Sequence, residues 1–143
     1  MLIGIYTSIL ETDNSLALPD EILANYQDGI YITRGFDRNV MGLTTQSFEV
    51  LYRKLTALNL ADSVARLLLR MLLSSAHRTE VTSDGIIHIP SALKEFADLK
   101  SKVFVVGQGD FIELWSPDVW KSQEEQFLKA EANHFSSLNI TTR

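Results

Sequence analysis

A serine stands three residues before a lysine in Ser91-Ala92-Leu93-Lys94, the spacing at which one helical turn sets an amine beside a hydroxyl and activates it as a nucleophile. Acyl-serine enzymes that use this pair carry companion motifs. Here K-T-G is absent, and Ser83-Asp84-Gly85 lies upstream, in the wrong order and without the Asn. Two fixed positions in four residues arise often by chance, so the pair is read as coincidence. His77, His88 and His134 are scattered, with no spacing that sets two of them toward one metal ion. The chain has no cysteine, which excludes thiolate sites and disulfides. Gly107-Gln108-Gly109 lacks the third glycine of a dinucleotide loop and leads into a β run, as a hairpin turn does. Glu124 and Glu125 point to different sides of a helix and form a solvated face. The expectation is a protein with no catalytic residue, metal, cofactor or small-molecule substrate, and not an enzyme.

What organises the remaining residues is an internal repeat. Pro19 precedes an acidic, helix-like stretch, residues 20–26, and then the β run Gly29-Ile30-Tyr31-Ile32-Thr33. Pro90 precedes a second helical stretch, residues 91–99, and then Lys102-Val103-Phe104-Val105-Val106. The prolines are 71 residues apart; Gly35 and Gly107, Leu43 and Trp115, and Phe48 and Trp120 are each 72 apart, so one insertion separates the copies. Each unit reads strand, turn, strand, short helix, strand, turn, strand, longer helix. The strands are expected at 3–10, 16–18, 30–33 and 40–43, and again at 79–81, 86–89, 103–106 and 111–115. Asp84-Gly85 and Gly107-Gln108-Gly109-Asp110 supply the positive-φ positions of tight turns. Ser116-Pro117-Asp118 gives a cap, a first-turn proline and a carboxylate at the positive end of a helix.

Two helices are expected between the units. Phe48, Leu51, Tyr52, Leu55 and Leu58 share one face of the first. Val64, Leu67, Leu68, Met71 and Leu72 share a face of the second, and Leu69 and Leu73 widen that stripe. A helix apolar nearly all round is either buried centrally or shared with another copy, which makes Leu69 and Leu73 candidates for an oligomer interface. The expected organisation is a first unit over 1–47, bridging helices over 48–75, a second unit over 76–120, and a C-terminal helix and tail over 121–143.

At 143 residues the chain is long enough for one compact domain or two small units sharing a core. Its 45% hydrophobic content excludes disorder. Residues 1–6 are too short and lack the basic flank of a leader, and the greasiest run, 64–73, is broken by Arg66 and Arg70. A cytoplasmic protein is expected, with no membrane partner. Against 13 Lys and Arg stand 18 Asp and Glu, and the net charge of −5 repels a phosphate backbone at long range.

The duplicated strand–proline–helix–strand unit resembles the SpoVT/AbrB swapped-hairpin domain, and its tandem arrangement with helices after each unit resembles the MraZ family. Asp28-Gly29-Ile30-Tyr31-Ile32-Thr33-Arg34-Gly35-Phe36-Asp37 is similar to that family's D-G-hydrophobic-T-R-G-hydrophobic-D stretch. Arg70-Met71-Leu72-Leu73-Ser74-Ser75-Ala76 is similar to its R-x-x-x-S-G-A segment, and Ile112-Glu113-Leu114-Trp115-Ser116 to its E-I-W-S hairpin. The resemblance implies an α+β fold in which two AbrB-like units form a pseudo-twofold, β-barrel-like body. It also implies a transcriptional regulator that forms a ring with copies of itself. That ring would bind double-stranded DNA repeats upstream of the division and cell-wall gene cluster, and be nucleoid-associated where DNA binding is retained.

The chain departs from the family at the motif L-D-x-K-G-R-hydrophobic-x-I-P, whose Arg the resemblance implicates in DNA contact. The first copy puts Asp13 at the Lys position and Ser15 at the Arg position; the second puts Ile86 at the Arg position. Residues 1–45 carry a net −4 and 76–120 a net −3, whereas residues 46–75 carry +2. The candidate DNA contacts left are Asn14 and Ser15, Gly85, His88 and Arg34. Asn and Ser hydrogen-bond phosphates or base edges, and glycine permits close backbone approach. Two readings follow: a DNA-binding regulator weakened by the lost arginines, or a degenerate scaffold that acts through protein contacts. In either, the ordinary role for Arg34 and Arg38 is an ion pair with Asp37 or a neighbouring acid.

Overall fold

The repeat builds one body by exchanging strands. A computed structural model describes residues 1–140; the last three residues of the expected 121–143 segment lie outside the described residues. The first unit contributes β1 (Ile5–Ile9), β2 (Ser15–Ala17), α1 (Asp20–Leu23) with a 3-10 turn at Ala24–Tyr26, β3 (Ile30–Arg34) and β4 (Val40–Leu43). The bridge is α2 (Thr45–Thr56) and α3 (Ser63–Ser74). The second unit contributes β5 (His77–Thr79), β6 (Ile86–His88), α4 (Ser91–Phe96), β7 (Lys102–Gly107), β8 (Phe111–Trp115) and α5 (Pro117–Lys129), followed by a 3-10 segment at Ala132–Leu138.

Six strands form one antiparallel sheet in the order β1-β7-β8-β4-β3-β5, and β2 pairs with β6 in a separate ribbon. The first strand of each unit thus pairs with the third strand of the other. Met41 lies opposite Glu113 at the centre of the sheet, and Leu16 lies opposite Ile87 at the centre of the ribbon. Both pairs join repeat-equivalent positions, so a pseudo-twofold axis runs through both layers. The turns obey it too. Leu18 N donates to Gly85 O at 2.8 Å, and Ile89 N donates to Asn14 O at 2.9 Å. Asn14 and Gly85 occupy equivalent places and share a left-handed backbone, φ 67° and 80°.

The core lies between sheet and ribbon: Ile30, Ile32, Val40, Val103, Val105, Ile112 and Leu114 from the sheet meet Leu16, Leu18, Ile87 and Ile89, with Ile22, Tyr26 and Leu93 from the short helices. Period-two alternation sends Tyr31, Met41, Leu43 and Phe111 to the outer face, where α2 and α3 cover them in a second cluster. Sheet and ribbon form the expected barrel-like body, although the ladder among the described residues is open, with β1 and β5 at its edges.

Three expectations shift. The strand expected at 79–81 is His77–Thr79, because pairing with Ile30–Ile32 draws it back to the end of α3. The first strand begins later, after Gly4 at φ 92°. On α3 the residues turned inward are Ala65, Leu68, Leu69, Met71, Leu72 and Leu73, whereas Val64 is 69% and Leu67 66% exposed, so those two are not on the buried face. Leu69 and Leu73 are half-buried against the second cluster of their own chain.

Tyr26 ties the two layers. Its ring is fully buried, its hydroxyl donates to Gly42 O at 2.8 Å, and burial pushes its pKa well above the usual phenol range. Tyr26→Phe keeps the shape and removes that bond, at an expected cost of about 1 kcal/mol. Urea unfolding checks this: the midpoint falls at unchanged slope.

Candidate nucleic-acid interface

Ribbon pairing decides which candidates meet. Ser15 lies opposite His88, and Asn14 follows directly at that end, so these three cluster. Gly85 lies at the other end beside Leu18, about 13 Å away at the rise of a strand. It is also buried. A Cβ there meets the Leu23 methyls at 3.1 Å, which gives the glycine a packing reason as well as a conformational one.

The polar side chains at the Asn14 end already hold internal bonds. Ser15 N and Oγ both donate to Asp13 Oδ1, at 3.0 and 2.6 Å, and these bonds hold the Asp13 carboxyl below its usual range. Asn14 Nδ2 meets Ser91 Oγ at 3.0 Å, and Lys94 Nζ donates to Asn14 Oδ1 at 3.2 Å. The serine–lysine pair of the sequence is therefore joined through an asparagine from the other unit, and both partners serve to pin the β1–β2 turn onto α4.

Arg34 is not on the ribbon. It ends β3, half-buried, with its guanidinium 4.0 Å from the centroid of the Phe96 ring, and its backbone N–H leans on Ser75 Oγ at 3.4 Å. Arg38, at φ 60°, donates from Nε to Phe96 O at 3.4 Å. Neither forms the ion pair that the sequence suggests, and among the described residues the one ion pair is Arg78–Glu80. Sequence reasoning missed Phe96, which arrives from the other unit; strand exchange makes that contact, and no local motif marks it.

A carboxylate sits on the axis at the outer face. Glu113 is half-buried, accepts a bond from Trp115 Nε1 at 3.1 Å, and faces Asn39 Nδ2, a buried amide nitrogen with no partner within hydrogen-bond distance among the described residues. Desolvation raises its pKa above the usual carboxylate range, Trp115 and Asn39 oppose the shift, and Asp37 adds to it. The native state then binds this proton more readily than the unfolded chain. Stability from this group is full below the unfolded value and is lost as pH rises through the native one. Glu113→Gln is expected to remove that slope and to raise the melting temperature at neutral pH, with the difference shrinking on acidification. A pH series of thermal melts checks it.

No helix of the described residues is long and apolar enough to cross a membrane. The family model described as "MraZ protein, putative antitoxin-like" matches residues 72–139. The transcriptional regulator MraZ of Roseiflexus castenholzii is 34% identical over 122 residues, 85% of each chain. That of Caldicellulosiruptor saccharolyticus is 32% identical over 86% of each, and that of Herpetosiphon aurantiacus 29% over 98% of this chain and all of the relative. With its strand-exchanged repeat intact and relatives above 30% identity matching most of its length, the chain belongs to the MraZ family of transcriptional regulators.

Proposed function

We propose that this protein is an oligomeric transcriptional regulator that binds double-stranded DNA without a cofactor, as a ring on repeats upstream of the division and cell-wall gene cluster. The observation that carries this reading is the match to regulators over most of the chain, joined to the crossed ribbon and its paired left-handed turns. Asn14, Ser15 and His88 offer one contact group, Gly85 shapes the opposite turn, and Arg34 stands one helix away. The units 1–47 and 76–120 form the DNA-facing body, with the bridge 48–75 and α5 on the other face. Anisotropy titration of a labelled direct-repeat duplex at low and moderate salt tests it, with light scattering as a check on assembly. An intact assembly that binds no duplex at low salt sinks the reading.

A second reading, a scaffold that has lost DNA binding, draws on one observation: Asp13 holds its charge beside the ribbon turn where the family has lysine. Tight, sequence-specific binding with a steep salt slope would sink it.

The repeat itself suggests how copies join. In the first unit α2 and α3 both pack on the outer face; the second has α5 in the place of α2, with Trp120 edge-on to Trp115, and after it a 3-10 segment rather than a second α-helix. That leaves Ile3, Ile5 and Ile9 on the outward side of β1 at 61, 51 and 51% exposure. The outward stripe of α3, with Val64 and Leu67 and the preceding Leu60, suits this vacancy on a second copy. Leu69 and Leu73 then support the stripe from beneath.

A further inference from the structure

Two arginines converge on one residue without a carboxylate between them. Arg34 stacks on the ring of Phe96, and Arg38 bonds its carbonyl oxygen. Other arginines are spent locally: Arg78 pairs with Glu80 and bonds Asp28 O, and Arg66 bonds Leu60 O and Ala61 O. Arg34 differs. It is half-buried, held flat by an aromatic ring, and its side chain donates no hydrogen bond within the described residues. A guanidinium fixed in this way presents a rigid fork of N–H donors that fits the oxygens of a phosphate.

Lys94 lies on the same helix as Phe96, and its Nζ reaches Asn14 at the ribbon turn. Asp37, Glu95 and Asp98 are close in sequence, yet none pairs with these cations. Arg34 reaches Phe96 on the core side of the sheet.

We propose that Arg34 and Arg38, which meet at Phe96, and Lys94, which leaves the same helix toward Asn14, receive the phosphate backbone of DNA in place of the arginines missing from the two turns. This rests on the DNA-binding reading above. It moves the cationic contact from the acidic ribbon turns to the seam where α4 meets the end of β3.

The experiment is anisotropy of a labelled duplex between about 50 and 200 mM salt, with circular dichroism to confirm folding. Arg34→Gln with Arg38→Gln should lower the slope of log affinity against log salt by about two, and Lys94→Gln by about one, equally on specific and random duplexes. Arg34→Lys keeps the charge if the double variant fails to fold. Arg53→Gln, the same one-charge change as Lys94→Gln but on exposed α2, should leave the slope as it is. Wild-type slope in the double variant and in Lys94→Gln overturns the proposal while the regulator reading stands. A wild type that binds no duplex at the lowest salt overturns both. Saturable binding of free pyrophosphate, lost in the double variant with the DNA slope unchanged, overturns it in favour of a small phosphate ligand.

Discussion

Gly107→Ala should loosen the N-terminal strap and lower the melting temperature by about 10 °C or more. The reason is space. A Cβ at Gly107 meets Ile3 Cα and N at 2.5 Å and the Leu2 carbonyl carbon at 2.6 Å, all of them backbone. Those atoms are held where they are by Gly107 N to Gly4 O, Leu2 N to Gly109 O and Gly109 N to Leu2 O, at 2.8, 2.9 and 2.7 Å. Relief of the clash breaks these bonds and draws Leu2, 1% exposed, out of the core. Burial of one leucine and two or three hydrogen bonds together amount to about 3–5 kcal/mol. Gly109→Ala is the control. It has φ 88° but nothing within 4 Å of the new Cβ, so only backbone strain of about 1 kcal/mol is expected. Thermal melts measure both, with amide exchange at Gly109 reporting on the strap. Equal melting temperatures for the two variants would mean that the strap does not hold.

The repeat was legible because prolines and glycines mark equivalent turns 71 or 72 residues apart, and the strand exchange implied by the family resemblance sets the repeat-equivalent pairs Met41–Glu113 and Leu16–Ile87 opposite one another. Rotation of α3 was not. Apolar residues at 64, 67, 68, 69, 71, 72 and 73 fit several faces, and only docking against Thr33, whose hydroxyl donates to Leu72 O at 2.6 Å, selects the one turned inward. Of the candidate site, the turn chemistry of Asn14 and Gly85 could be read, since positive φ has a residue preference. The partners of Arg34, Arg38 and Asn14 could not, because each reaches across from one unit to the other. An ion pair with Asp37 is the nearest answer in sequence, and tertiary contact replaces it with Phe96.

Leu67→Glu is expected to dissolve the proposed assembly into single folded copies, because it places a charge at the centre of the outward α3 stripe and removes nothing from the core. Leu67 is 66% exposed and Leu72, inward on the same helix, 1%. The circular dichroism spectrum and melting of a dilute sample should therefore change little, while light scattering falls to the mass of one chain. Leu69→Glu is the opposite case. It drives a charge into the second cluster and should unfold the helical bridge. A head-to-tail contact makes a sharper demand. Ile5→Glu, on the outward side of β1, should dissolve the assembly as fully as Leu67→Glu, although the two residues lie on different elements. Each variant then keeps one intact face, so a mixture of the two should form a heterodimer and nothing larger. A contact between two α3 helices related by a twofold axis would behave otherwise, because Ile5→Glu would leave it whole. Mixed variants that stay single, or an Ile5→Glu protein that assembles like the wild type, would remove the β1 face from the interface.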